Sequence, residues 1–327
     1  MSSSKIGVHI LGGLGDVSLT RILPALYLTD LRASFYVASI CDVYESERVR
    51  DREGLVDLLK EIKEKRLKGK LDPTLEEFIK NDLQNSILYF QLDRDNPILT
   101  DKFFEKVRDG DIVDICVPNK HHLNLLKQVL RHGKNVIIEK PIVYSLAQAH
   151  QFDDFWRSLN EGEKKVFKTD SEHFSHYPNI LDFILLFKGF FDDDIGGYGL
   201  GKIKQMQICI EEYEGFDSER NRQIIEISNS GGGAWLDTGI HAIAFNKNIG
   251  AEIDYDTIVA QPYKINDKII LDKKYGESSM HVSFDVRPSD YIVKDCHVDI
   301  SVGKGFKKKK KLFLIVNERG RVEINTA

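Results

Sequence analysis

Cysteine is scarce. Four occur in 327 residues, Cys41, Cys116, Cys209 and Cys296, far apart and each within an apolar, strand-like run. None has the spacing of a metal knuckle or a redox pair, so neither a metal site nor a disulfide framework is expected. Buried, reduced thiols in a cytoplasmic protein fit that pattern. Basic charge gives no surplus either: 46 Lys and Arg stand against 51 Asp and Glu, a formal net charge of -5. A chain of that sign repels phosphate backbones, which argues against a nucleic-acid partner. The one basic run, Lys307 to Lys311, precedes the strand-like Leu312–Val316. It reads as a solvated turn or strand edge. Apolar runs are all too short to span a bilayer, so no membrane partner is expected. The opening MSSSKIGVHILGG carries one basic residue before a very short apolar run and does not read as a signal peptide. Internal repeats and low-complexity linkers are missing too.

What is present is globular: 42% hydrophobic and 30% charged residues, enough chain for two domains. Strands are predicted at Ile6–Leu11, Phe35–Cys41, Ile87–Phe90, Asp111–Val117 and Asn135–Ile138. Between them lie helical patterns, including Leu19–Leu31 with Pro24 as an early-turn or kink residue, and His122–His132 closed by Gly133. Strand and helix in alternation imply a parallel sheet covered on both faces. After about residue 168 the rhythm changes to strands with few helices: Lys202–Glu211, Asp256–Tyr263, Ser279–Val286, Cys296–Val302 and Leu312–Val316. The expectation is an α/β chain, with a Rossmann-type domain over 1–145 and an α+β domain with a large, open, mostly antiparallel sheet over 146–327.

The first strand runs into Gly12-Gly13-Leu14-Gly15-Asp16-Val17-Ser18. Two registers are open. Gly13, Gly15 and Ser18 match a dinucleotide fingerprint with a small third residue; Gly12 and Gly15 match a G-x-x-G-D variant. Either brings bare backbone to a pyrophosphate at a helix N-terminus. Gly12, Gly13, Leu14, Gly15, Asp16 and Val17 are therefore cofactor candidates. Asp42 ends the second strand, where an acid accepts from ribose hydroxyls and repels a 2′-phosphate. That favours NAD, with Arg48 and Arg50 nearby leaving NADP open.

A last stretch, Gly231-Gly232-Gly233-Ala234-Trp235-Leu236-Asp237-Thr238-Gly239-Ile240-His241-Ala242-Ile243, is almost wholly small or apolar. Asp237 and His241 break it, four residues apart, a spacing that shares one helical face.

Three motifs occur in order: Pro118-Asn119-Lys120-His121-His122, then Glu139-Lys140-Pro141, then the Gly-rich Asp237/His241 segment. Together they resemble the glucose–fructose oxidoreductase / inositol dehydrogenase family, also called Gfo/Idh/MocA, over roughly residues 5–250. The opening loop, continuing Arg21-Ile22-Leu23-Pro24-Ala25-Leu26-Tyr27, is also similar to the start of glucose-6-phosphate dehydrogenases. The resemblance implies an NAD(P)-dependent oxidoreductase acting on a secondary alcohol of a sugar, sugar phosphate or cyclitol. It implies Lys140, Asp237 and His241 as catalytic and substrate-binding residues. Pro118, Asn119, His122, Glu139 and Lys140 are implied near the cofactor. His173 and Tyr177, at the start of the second domain, are candidate substrate contacts. A catalytically silent dinucleotide sensor on the same fold stays open. The broad second-domain sheet offers a face for homo-oligomer formation.

Overall fold

The computed structural model describes residues 5–15, 17–43, 52–164, 167–169, 199–212, 226, 232–262, 277–304, 306 and 310–325. The chain divides into two compact units, 1–170 and 171–327.

The first unit holds six parallel strands: β1 Ile6–Leu11, β2 Phe35–Asp42, β3 Leu88–Gln91, β4 Ile112–Ile115, β5 Asn135–Ile138 and β6 Phe167–Thr169. Their order is β3-β2-β1-β4-β5-β6. Strand order therefore reverses between β1 and β4, the switch point where open α/β sheets bind ligands beyond the strands' C-terminal ends. Two apolar clusters cover the two faces. One packs Val8, Ile10, Val37 and Ile40 with Leu23, Tyr27, Val56 and Leu59. The other packs Val113, Ile115, Val136 and Ile138 with Leu125, Leu126, Val129 and Phe103. The expected helix after the glycine loop opens as a π-type turn, Ser18–Ile22, and continues as an α-helix, Leu23–Leu28. Pro24 lies in the first turn of that helix, where its missing N–H costs nothing.

The first unit reaches beyond the expected boundary at residue 145. The helix Leu146–Ser158 buries Phe155 in the same cluster as β4 and β5, and β6 then pairs parallel with β5. Phe152, Phe155 and Trp156 form the stripe that carries the helix onto the sheet. A three-residue strand such as β6 leaves almost no alternation to read.

The second unit holds β7 Ile203–Glu212, β8 Val259–Pro262, β9 Ser279–Val286, β10 Ile292–Lys304, β11 Lys310–Asn317 and β12 Arg321–Asn325. They are ordered β12-β11-β7-β10-β9-β8. Only the β7–β10 pair is parallel; the other neighbours run antiparallel. The helix Ile240–Asn248 lays Ala242, Phe245 and the following Ile249 on one face, against Ile208, Ile210, Phe284, Val298, Ile300 and Phe313. The expected α/β chain with a Rossmann-type sheet and a large open sheet is the observed fold. All four cysteines are free thiols, and burial pushes those of Cys209 and Cys296 up to about 12. They are therefore poor nucleophiles.

At the N-terminal end of the first sheet lies a buried polar cluster. Asp111 accepts from the Gly7 N–H at 2.7 Å, the Arg108 N–H at 3.0 Å and the Arg108 side chain at 3.1 Å. His9 bridges Ser39 Oγ at 2.8 Å and Asp111 Oδ2 at 3.4 Å. Ser39, His9 and Asp111 contact one another in the order of a nucleophilic triad. All three are buried, so no substrate reaches the serine, and the cluster ties β1, β2 and β4 together. A Cβ on Gly7 would sit 2.8 Å from the Asp111 carboxylate, so glycine is needed for that approach.

Candidate functional site

The glycine loop leaves β1 at the switch point. Gly12 has φ of +82°, and a Cβ there would lie 2.8 Å from the Cys116 carbonyl oxygen. Only glycine combines that backbone conformation with that approach to β4. The Gly12 carbonyl accepts from the Gly15 N–H at 2.9 Å and from Ser18 Oγ at 2.9 Å. The tight turn thus starts at Gly12. Gly13 backs onto Ile40, where a Cβ would meet the side chain at 2.5 Å. Leu14 and Val17 flank the turn; Asp16 lies outside the described residues.

Asp42 ends β2 beside this loop and is buried. Its Oδ2 accepts from the Leu14 N–H at 2.9 Å, and its Oδ1 from the Val43 N–H at 2.7 Å. The acid expected to meet ribose hydroxyls therefore also pins the glycine loop. Sequence spacing gave no sign of this second duty, because Leu14 and Asp42 are distant in the chain.

Pro118 and Asn119 follow β4, with the Pro118 carbonyl accepting from the His121 N–H at 2.9 Å. Glu139, Lys140 and Pro141 follow β5, and the Glu139 N–H donates to the Ile115 carbonyl at 3.0 Å. The two strand ends are joined by His122. Its Nδ1 lies 2.7 Å from the Pro141 carbonyl oxygen and its Nε2 lies 2.8 Å from that of Val117. The ring is 1% exposed. Burial lowers its pKa below the ordinary histidine value despite those two carbonyls. This corrects the expectation that His122 touches the cofactor: both ring nitrogens face backbone, so it acts as a clamp that fixes the loop carrying Lys140. Within the first unit, Gly12–Gly15, Asp42, Pro118, Asn119, Glu139 and Lys140 all stand at C-terminal strand ends. A turn glycine, a pinned loop and an acid at the end of β2 fit a dinucleotide: the loop would hold the pyrophosphate and Asp42 the adenosine ribose.

In the second unit, Asp237 lies in a π-type turn, Trp235–Gly239, that leads into the α-helix Ile240–Asn248 carrying His241. Such single wide turns inside helices recur at functional sites. His241 is buried and Asp237 half-buried. Asp237 Oδ2 lies 2.8 Å from Lys304 Nζ, and the same ammonium donates to Glu212. Sequence reading missed Lys304 because it follows the apolar alternation Cys296, Val298, Ile300 and Val302 at the close of its strand. The glycines of this segment are required by its own packing. A Cβ on Gly233 would meet the Glu277 carbonyl oxygen at 2.1 Å, and one on Gly239 would meet the Trp235 ring at 2.5 Å. They make room within the unit, where Glu277 caps the turn by accepting from the Trp235 N–H at 2.8 Å. His173 and Tyr177 lie outside the described residues. The basic run is corrected in part: Lys311 is buried within β11, while Lys310 is exposed and Lys307–Lys309 lie outside the described residues. Among the described residues there is no group of three or more metal-ligating side chains, and no helix is long and apolar enough to cross a membrane.

Over the whole chain, the fold is similar to several solved structures. Scyllo-inositol dehydrogenase from Lactobacillus casei, with bound NAD(H) and scyllo-inositol, aligns at 16% identity and a TM-score of 0.63, covering 98% of this chain and 76% of that one. Myo-inositol 2-dehydrogenase from Lactobacillus plantarum aligns at 13% identity and 0.63, covering 98% and 76%. Aldose-aldose oxidoreductase from Caulobacter crescentus aligns at 17% identity and 0.63, covering 98% and 77%. No curated protein matches the chain. Residues 88–162 match the model of the GFO_IDH_MocA family, described as an oxidoreductase family with an NAD-binding Rossmann fold. That span contains Pro118, Asn119, Glu139 and Lys140.

Proposed function

We propose that the chain is an NAD(P)-dependent oxidoreductase that moves a hydride between a nicotinamide cofactor and a secondary alcohol of a sugar, sugar phosphate or cyclitol. The observation that carries this reading is Lys140, which follows β5, the neighbour of β4 in the sheet, and lies within the family match. The bound nicotinamide would take the hydride. The chain must supply a base and hold the reacting hydroxyl. His241 is the base, since an imidazole exchanges a proton near neutral pH. Lys140 puts a positive charge where alkoxide character develops on the substrate oxygen. Asp237 accepts from a neighbouring hydroxyl and orients the imidazole four residues on. His173 and Tyr177 are the further proposed substrate contacts. Inositol and aldose enzymes among the similar structures support a polyhydroxylated substrate.

The test is cofactor reduction with NAD⁺ or NADP⁺ and a panel of cyclitols, aldoses and aldose phosphates. Turnover of at least one member is expected. Tight NAD binding with no turnover across the panel would favour the silent sensor.

NAD is the proposed preference, because the Asp42 carboxylate would repel a 2′-phosphate. Asp42→Asn keeps an acceptor for the Leu14 N–H and removes the charge. It should tighten NADP binding by roughly 10-fold, equivalent to about 1.4 kcal/mol, while changing NAD less. Calorimetric titration reads both constants; a wild-type protein that binds NADP more tightly than NAD would refute the assignment.

We also propose a cytoplasmic homo-oligomer, paired through the outer face of the second sheet. That face carries a polar chain in which His297 meets Asp285 at 2.8 Å and Asp299 lies 3.5 Å from both His281 and His297. Sedimentation equilibrium that returned a monomer at micromolar concentration would remove this part of the reading.

A further inference from the structure

The apolar face of the second sheet ends in charge. Met206, Ile208 and Ile210 on β7, Val298, Ile300 and Val302 on β10, and Phe313 and Ile315 on β11 all face the core. Strand alternation carries that face on to Glu212 and Lys304 at one end, and to Lys311 at the start of β11. The pairing sets Lys304 beside Glu212, and Lys311 beside Ile210. Lys304 is 2% exposed. A lysine so placed is costly unless its charge is paired and hydrogen-bonded. Its Nζ meets Asp237 Oδ2 at 2.8 Å and also donates to Glu212 Oε2. Burial alone would lower its pKa, but the two carboxylates prevail and hold it above the ordinary lysine value.

We propose that Lys304 is a positioning residue for the reaction: it keeps the Asp237 carboxylate ionised and aimed, and through it sets the charge felt by His241. The inference rests on the proposed roles of Asp237 and His241. Three observations support it. Asp237 stands on the π-type turn, whose backbone is already held from the other side by Glu277. One ammonium serves two carboxylates, so a change at Glu212 alters the charge that Lys304 presents to Asp237. The Asp237 side chain remains 27% exposed, so it keeps an accessible edge while one oxygen is fixed. The charged and titratable groups around Lys304 are Glu212 on β7, Lys311 on β11, Glu277 ahead of β9, and Asp237 and His241 on the turn and helix.

The test is the pH dependence of kcat/KM for NAD⁺ reduction with the panel's best cyclitol or aldose, in Lys304→Met and Glu212→Gln variants. Lys304→Met leaves two carboxylates close together with no cation between them. Asp237 then takes up a proton more readily, and any charge that stays on it raises the His241 pKa. Both effects move the acid limb of the profile to higher pH, by about one unit or more. Glu212→Gln leaves the ammonium to Asp237 alone and should move the limb to lower pH. Lys304→Arg, which keeps the charge, should restore most of the wild-type profile. A merely structural role would change melting temperature and total activity in both variants without moving the limb, and that result overturns the proposal. If Lys304→Met does not fold, Glu212→Gln decides alone: a downward shift supports the inference and an unmoved limb defeats it. Asp237→Asn separates the two layers. Wild-type turnover in that variant removes the Asp237 reading beneath the inference. A loss of 10-fold or more there, with unmoved limbs in the other two variants, defeats the role of Lys304 alone.

Discussion

His241→Ala is expected to lower turnover by about 10²-fold or more, the usual scale for removing a general base, while NAD binds as tightly as before. The two halves of that expectation come from different units of the chain. The glycine loop, Asp42 and the Lys140 loop belong to the first unit, and His241 belongs to the second. A variant of the second unit leaves the Gly12 turn and the Leu14–Asp42 hydrogen bond intact, so the cofactor constant should hold. Lys140→Ala should cost about as much in turnover, because it removes charge stabilisation at the reacting oxygen. Lys140 lies within the family match, among the residues expected near the nicotinamide, so some loss of cofactor affinity should accompany it. Single-turnover kinetics beside calorimetry distinguish the two variants. Unchanged turnover in His241→Ala would remove the base assignment.

The second large effect lies far from the chemistry. Asp111→Ala should destabilise the first unit by about 3–4 kcal/mol, read as a lower midpoint of urea unfolding. The carboxylate gathers the Gly7 N–H, three donors of Arg108 and the His9 ring, and alanine strands a backbone N–H in the interior. Arg108 is 55% exposed and regains water, which keeps the loss toward the lower end of the range for broken buried pairs. The pH dependence has a definite sign. Burial by itself would raise the Asp111 pKa, but hydrogen bonds from Arg108, the Gly7 N–H and His9 hold it below the ordinary aspartate value. Its contribution is therefore complete above about pH 4, near the unfolded aspartate pKa, and is lost as pH falls through the depressed folded value. His9 is also lowered, chiefly by burial, so its contribution too disappears on acidification, starting below about pH 6.5. Below about pH 4, where Asp111 takes up its proton, the gap between wild type and Asp111→Ala should narrow. A gap that widened there would contradict the network's assignment.

The architecture was legible because its signals are local. Apolar runs end at Gly12, Asp42 and Glu139, and alternation after residue 200 is sustained over long strands such as Ile292–Lys304. What escaped were β6, too short to show a period, and β12, whose Arg321–Asn325 carries little apolar alternation. The site was legible as motifs but not as partnerships. Nothing in the spacing of His122 shows that its ring spans two strand-end carbonyls, since one of them follows β5. Likewise Lys304 reads as a surface lysine after an apolar strand until the pairing with β7 sets it beside Glu212. The glycines before and within the Asp237 segment carry no sign in the sequence of what they must accommodate. Their steric need is Glu277 and Trp235, contacts that only the folded unit reveals.

The central proposal is that this chain transfers hydride from a polyhydroxylated carbon to NAD⁺ with His241 as the base. The most direct measurement uses cyclitols and aldoses deuterated at each carbinol carbon, with mass spectrometry of the reduced cofactor. Deuterium should appear in NADH from one labelled position of at least one compound, and its rate of appearance should fall by about 10²-fold or more in His241→Ala. Bound NAD⁺ that gains no deuterium from any labelled compound, or deuterium transfer unaffected by His241→Ala, would contradict the account.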